Sequence, residues 1–208
     1  MIRIITIERE FGSGGGVIAA KVAARLGWKL WDQLLTDEIA RRLDCPSRTV
    51  QEREERRDSV SHRLMKAFMR GSYEGSLNAP RLKAVDSECI RDVTQQILKE
   101  VAESGNSVIV GRGSAYYLSD RMDAFHVFIY APFQAKVRRL QSTGKSEKEA
   151  MELAQTVDLD RAAFIKRFFN VDWPERHRFH LMVNSCIGDD AAVETVLETH
   201  ARLAKQRA

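Results

Sequence analysis

The residues with the plainest chemical potential stand near the start of the chain. Thr6-Ile7-Glu8-Arg9-Glu10-Phe11-Gly12-Ser13-Gly14-Gly15-Gly16-Val17 sets four glycines within five positions, between an Ile-rich run and an Ala-rich one. Glycine takes positive φ without steric cost and lets the backbone come close to a ligand. Successive N–H groups that open a helix make an anion cradle. The guest such a turn would hold is a phosphate, lined by Gly12, Ser13, Gly14, Gly15 and Gly16 with Arg9 beside them; the alternative is a tight connector that binds nothing. Two phosphate patterns compete. The dinucleotide fingerprint asks for Gly-x-Gly-x-x-Gly, which Gly12 and Gly14 meet and Val17 does not, with Asp32 as the acid further on. The mononucleotide loop asks for GxxxxGK[ST], which would put its first glycine at Arg9, its lysine at Gly15 and its hydroxyl at Gly16 or Val17. Neither pattern is complete.

Other candidates lie further along. Arg112 sits between Gly111 and Gly113 after the apolar run Val108-Ile109-Val110, a place from which a bidentate fork can point into a crevice. Asp32 follows the short apolar run Trp28 to Trp31. Three roles stand open for it: magnesium-bound water, an acceptor molecule, or the cap of the next helix. Arginines outnumber lysines 23 to 10, and the planar fork suits phosphate better than a point charge does; biased genomic composition would give the same excess.

The elements that must position these residues follow from periodicity. Strands are expected at 2–7, 28–31, 107–110, 125–130 and 181–184. Helices are expected at 17–26, 33–43, about 47–70, 81–104, 132–142, 146–168 and 190–206. The Ile-rich first strand has the pattern of one buried on both faces of a parallel sheet. Gly71 to Pro80 is the expected loop, and Gly27 and Gly105 are helix stops. Strand–helix alternation predicts an α/β fold, an open parallel sheet with helices on both faces. Ligands bind such sheets beyond the carboxyl ends of the strands. That gathers the turn after Ile7, Asp32 and the turn after Val110 around one crevice.

The opening ITIEREFGSGGGVIAAKVAARLGWKLWD (5–32) resembles the cytidylate kinase-like family, a divergent branch of the P-loop nucleoside monophosphate kinases, whose members open with a similar ITIxREFGSGG. The likeness continues in order through VIVGRGSAYYL (108–118), VFIYAPFQAKVRRL (127–140), DLDRAAFIKRFFNVDW (158–173) and LMVNS (181–185). It implies a P-loop NTPase-like three-layer α/β/α domain over 1–208: a core of 1–44 and 81–208, a helical acceptor-binding insert at about 45–80, and a lid at about 144–175. It implies phosphoryl transfer from ATP, with Mg²⁺, to CMP or dCMP. The glycine turn and Arg9 would hold the donor; Arg112, Asp32 and Asp158 the acceptor; Arg161, Arg167 and Arg139 would neutralise the moving phosphoryl group. Asp158 could instead orient Arg161 as an i,i+3 pair. Arg161 and Arg167 stand roughly 600° apart around a helix, so both reach a ligand only if that helix breaks or lies between donor and acceptor. Of Arg138 and Arg139, one is expected to face the site and one the solvent. Trp173 reads as a core or lid-packing aromatic. The chain departs from the family at Gly15, Gly16 and Val17, where no lysine, basic residue or hydroxyl stands. Arg9 or Lys21 would have to supply the missing charge, or the protein binds nucleotide without turnover. A nicotinamide-linked oxidoreductase using Gly12, Gly14 and Asp32 is the remaining alternative, although hydride transfer has no use for an arginine-rich second half.

Composition narrows the rest. With 208 residues, 44% of them hydrophobic and 30% charged, the chain has material for a packed core. No run approaches the roughly 20 apolar residues of a membrane span. A net charge of +4 is too mild to argue for nucleic acid. Cys45, Cys89 and Cys186 form no CxxC and are odd in number, and no leader pattern precedes the first strand, so a reducing, cytoplasmic setting is expected. Partners are expected to be small-molecule nucleotides, with neither nucleic acid nor membrane; a homodimer is left open.

Overall fold

The structure is a computed structural model that describes residues 1–43 and 87–206. The helix at 47–70, the loop Gly71 to Pro80, the insert at 45–80 and Cys45 lie outside those residues. Five strands form one parallel sheet: β1 (Ile4–Arg9), β2 (Lys29–Trp31), β3 (Ser107–Val110), β4 (Ala124–Tyr130) and β5 (Leu181–Asn184), in the order β2-β3-β1-β4-β5. The helices are α1 (Gly15–Leu26), α2 (Gln33–Leu43), α3 (Ser87–Ser104), the one-turn α4 (Ser114–Tyr117), α5 (Phe133–Ser142), α6 (Glu147–Phe169) and α7 (Asp189–Gln206). This is the P-loop NTPase-like α/β/α arrangement.

Strand alternation divides the core. One face of the sheet (Ile5, Ile7, Val108, Val110, Val127, Ile129) packs on Ile18 and Val22 of α1 and Val193 and Val196 of α7. The opposite face (Ile4, Ile109, Ala124) packs on Leu35 and Ile39 of α2, Ile97 and Val101 of α3, and Phe164 and Ile165 of α6. A third cluster joins Phe11 of the glycine turn to Val137 and Leu140 of α5 and Ala154 and Val157 of α6. Trp173 packs into the second of these faces, its ring centroid 5.5 Å from that of Phe128.

The first strand and the first helix depart most from the sequence expectation. The first strand does not end at Ile7: Glu8 and Arg9 stay in register opposite Phe128 and Ile129 of β4, and both are buried. Helix α1 begins at Gly15 instead of Val17, behind Gly14 in the left-handed conformation (φ 78°). Propensity argues against two glycines in a first helical turn. At position 15 packing decides, because a Cβ there would meet the Cβ of Arg9 at 2.6 Å and that of Ile129 at 3.4 Å.

Candidate active site

The carboxyl ends of β1, β2, β3 and β4 open on one crevice, into which α1, α5 and α6 also project. The glycine turn forms one wall. Gly12 and Gly14 both take positive φ (81° and 78°). Ser13 folds back, its N–H and hydroxyl both donating to the Glu10 carbonyl at 3.3 and 2.8 Å. Gly15, Gly16 and Val17 then open α1, and the N–H groups of a helix's first turn have no intrahelical acceptor. They face outward at the positive end of the helix dipole. Basic side chains ring the turn. A Cβ at Gly12 would meet Lys136 Cβ at 3.0 Å, one at Gly14 would meet Arg139 Nη1 at 2.5 Å, and one at Gly15 would meet Arg9 Cβ at 2.6 Å.

Three buried or nearly buried arginines reach the floor. Arg112 is 5% exposed and held in the left-handed region (φ 61°) between Gly111 and Gly113, also left-handed. A non-glycine residue there costs on the order of 1 kcal/mol, which persists only where the surroundings enforce it. Its Nη2 donates to the Thr36 hydroxyl on α2. Arg9 is 4% exposed. Arg161 reaches over from α6: its Nη1 donates to the Arg9 carbonyl at 2.8 Å and to Asp158 Oδ1 at 3.1 Å. Burial first, then Arg161, lowers Arg9 to about 10; burial first, then Arg9, lowers Arg112 to about 9. Both remain cationic at neutral pH, and neither is fully compensated by Asp32 or Glu8, which pull the other way. Glu8 is itself pushed up by burial, against the pull of Arg9, Arg161 and the N–H groups of Ala115 and Ser114. An electropositive, desolvated crevice of this kind stabilises whatever anion enters it.

Asp158 ties the walls together. Its Oδ1 accepts from the Phe11 N–H at 2.8 Å as well as from Arg161, and its Oδ2 accepts from Lys136 Nζ at 3.1 Å. Lys136 also pairs with Glu10 Oε2 at 3.2 Å, and Glu10 accepts from the Ala131 N–H at 3.3 Å. One network therefore joins β1, the glycine turn, α5 and α6. Arg139 lies across Gly14 and is gripped by both oxygens of Asp189 at the start of α7, at 2.7 and 3.0 Å.

The structure thus brings Arg9, Gly12, Ser13, Gly14, Gly15, Gly16, Asp32, Arg112, Arg139, Asp158 and Arg161 to one end of the sheet. It does not bring Arg167: α6 runs unbroken through Phe169, and Arg167 is exposed on another face, its guanidinium 5.7 Å from the Phe168 ring. Arg138 faces solvent. Lys21 turns away from the loop to Asp190 of α7, at 2.7 Å. The Asp32 main-chain carbonyl accepts from the Thr36 N–H at 3.4 Å, while its carboxylate acts by charge on Arg9 and Arg112. Lys136, Glu10, Thr36 and Asp189 escape sequence reading, since each matters through a partner distant in the chain; the acid–base–acid run Glu8-Arg9-Glu10 at the end of a buried strand was the one hint. Among the described residues no group of His, Cys, Asp or Glu is arranged to hold a metal ion, and Val17 offers an exposed apolar side chain where a magnesium-binding hydroxyl would stand. Among the described residues, no helix is long and apolar enough to cross a membrane.

A model of the cytidylate kinase-like family matches residues 4–186. Among solved structures, the chain is similar to an uncharacterized protein from Eubacterium ventriosum, with a TM-score of 0.68 and 21% identity over 97% of this chain and 99% of that one. It is similar to a shikimate kinase from Bacteroides thetaiotaomicron (TM-score 0.53, 17% identity, 96% and 98% covered). It is also similar to the Acinetobacter baumannii shikimate kinase in complex with shikimate (TM-score 0.51, 13% identity, 96% and 93% covered). These likenesses speak for the fold. No curated protein matches the chain.

Proposed function

Given that the chain belongs to the cytidylate kinase-like family, we propose that it transfers the terminal phosphoryl group of MgATP to the phosphate of a pyrimidine nucleoside monophosphate, CMP or dCMP. An oxygen of the acceptor phosphate attacks the γ-phosphorus. The bond from that phosphorus to the β,γ-bridging oxygen breaks, and ADP leaves with its electron pair while the acceptor becomes a diphosphate. The glycine turn and the first N–H groups of α1 would hold the donor. Arg112 would hold the acceptor phosphate, and Arg161 would neutralise charge as it spreads over the moving group.

The observation that carries this reading is the set of buried arginines Arg9, Arg112 and Arg161 at the mouth of a phosphate-type turn. When both reactants are anions, the barrier includes their mutual repulsion, and fixed cations in a desolvated crevice lower it. The test is ADP formation from MgATP with CMP, dCMP, UMP or AMP as acceptor. Turnover should be fastest with CMP or dCMP, and Arg161→Ala should reduce kcat by roughly 10³-fold. No turnover with any monophosphate would reject the reading. A second reading, a protein that binds nucleotide without turnover, draws on Val17 and Gly15 in place of hydroxyl and lysine; binding without ADP formation would establish it.

A further inference from the structure

Position 15 reads in the sequence as a lost lysine, but the packing gives its glycine a reason. A Cβ there would lie 2.6 Å from Arg9 Cβ and 2.9 Å from Arg9 Cγ. No larger residue fits at 15 while Arg9 keeps its place. The far end of Arg9 makes the same demand: its Nη1 fills the space a Cβ would need at Gly111. The side chain therefore starts beside the first residue of α1, passes beneath the glycine turn, and ends beside the turn after β3. It is buried, and its Nε has no hydrogen-bond acceptor among the described residues. Asp32, Glu8 and Asp158 act on it by charge alone. A buried guanidinium left in this condition is costly unless something else completes it.

Building on the kinase reading above, we propose that Arg9 is the cation that grips the donor's terminal phosphates. It replaces, from the end of strand β1, the ammonium group that a mononucleotide loop carries at the position of Gly15, and Gly15 and Gly111 are glycine because this arginine needs their side-chain space. The exchange has a physical logic. A guanidinium presents a planar fork that meets two phosphate oxygens, where an ammonium offers a point charge. Anchored on a buried strand and threaded between two glycines, the fork loses little freedom on binding.

Calorimetric binding of MgATP and of inorganic tripolyphosphate, with thermal unfolding of each unliganded variant, tests this. Arg9→Met should weaken both ligands by about ten- to a hundredfold, the scale of a charge-assisted hydrogen bond, while the unliganded Tm does not fall, because an uncompensated buried charge has gone. Gly15→Lys alone should also bind weakly, since its Cβ displaces Arg9. The double variant Arg9→Gly/Gly15→Lys, in which the Cβ that meets position 15 is also gone, should bind more tightly than either Arg9→Gly or Gly15→Lys. Arg9→Met that binds tripolyphosphate like the wild type overturns the proposal and leaves the kinase reading intact, as does a double variant no better than the single ones. A wild-type protein that binds no triphosphate overturns both. Should Arg9→Met fail to fold, Gly15→Ala decides: it keeps the charge but crowds its root, and wild-type affinity there overturns the proposal.

Discussion

Arg112 and Arg9 hold their protons less tightly in the fold than an arginine in water, because burial and neighbouring guanidinium groups disfavour the charge. In the unliganded protein, this lowers Arg112 to about 9 and Arg9 to about 10. Below these values both are charged, so phosphate affinity should be full there and fall as pH climbs through them. A bound anion raises both pKa values, so binding between pH 9 and 10 should take up protons; calorimetry in buffers of different ionisation enthalpy measures the uptake, and its absence would contradict the assignment. The sign for stability is opposite. Over that range the unfolded chain holds more protons than the fold, so unliganded stability rises with pH. These arginines were partly legible in the sequence, Arg112 from its glycine bracket and Arg9 from its place beside the turn. Lys136 was not. Its weight comes from Glu10 and Asp158 at 3.2 and 3.1 Å, partners supplied by two other elements, and nothing in the run Ala135-Lys136-Val137 marks it.

At the scale of elements, the glycine turn is held from outside as much as by its own conformation. Asp158 of α6 takes the Phe11 N–H, Lys136 of α5 bridges Glu10 to Asp158, and Phe11 packs among Val137, Ala154 and Val157. Lys136→Met should leave two carboxylates facing each other across a nearly dry gap. Breaking such a buried pair costs about 3 kcal/mol, or roughly 6–12 °C in Tm for a chain of this size. Thermal scans of the variant beside the wild type check it. Most element positions were legible, because β1, β3 and β4 are continuous apolar runs and α1 and α6 end in left-handed Gly27 and Asn170. The start of α1 was not, because propensity places glycine outside a helix while the side chain beneath the turn admits nothing else. The angular separation of Arg161 and Arg167 was legible too: an unbroken α6 turns the first toward the turn and leaves the second in solvent.

For the whole molecule, the crevice collects groups from β1, β2, β3, α5 and α6, so a ligand there should stabilise the entire cooperative unit. At a hundredfold excess over Kd, linkage predicts about 2.7 kcal/mol, which for 208 residues is a rise of roughly 5–11 °C in Tm. Differential scanning calorimetry with MgATP reads this directly; an unchanged Tm at saturation would count against binding in the crevice. The central position of β1, hydrogen-bonded to β3 on one side and β4 on the other, has a consequence for misfolding. Successive side chains of a strand point to opposite faces, and here the last two are an acid, Glu8, and a base, Arg9. If β1 slid by one residue against its neighbours, those two would exchange faces. The chain would still be compact, yet a carboxylate would lie beneath the turn and repel the very anions the crevice attracts.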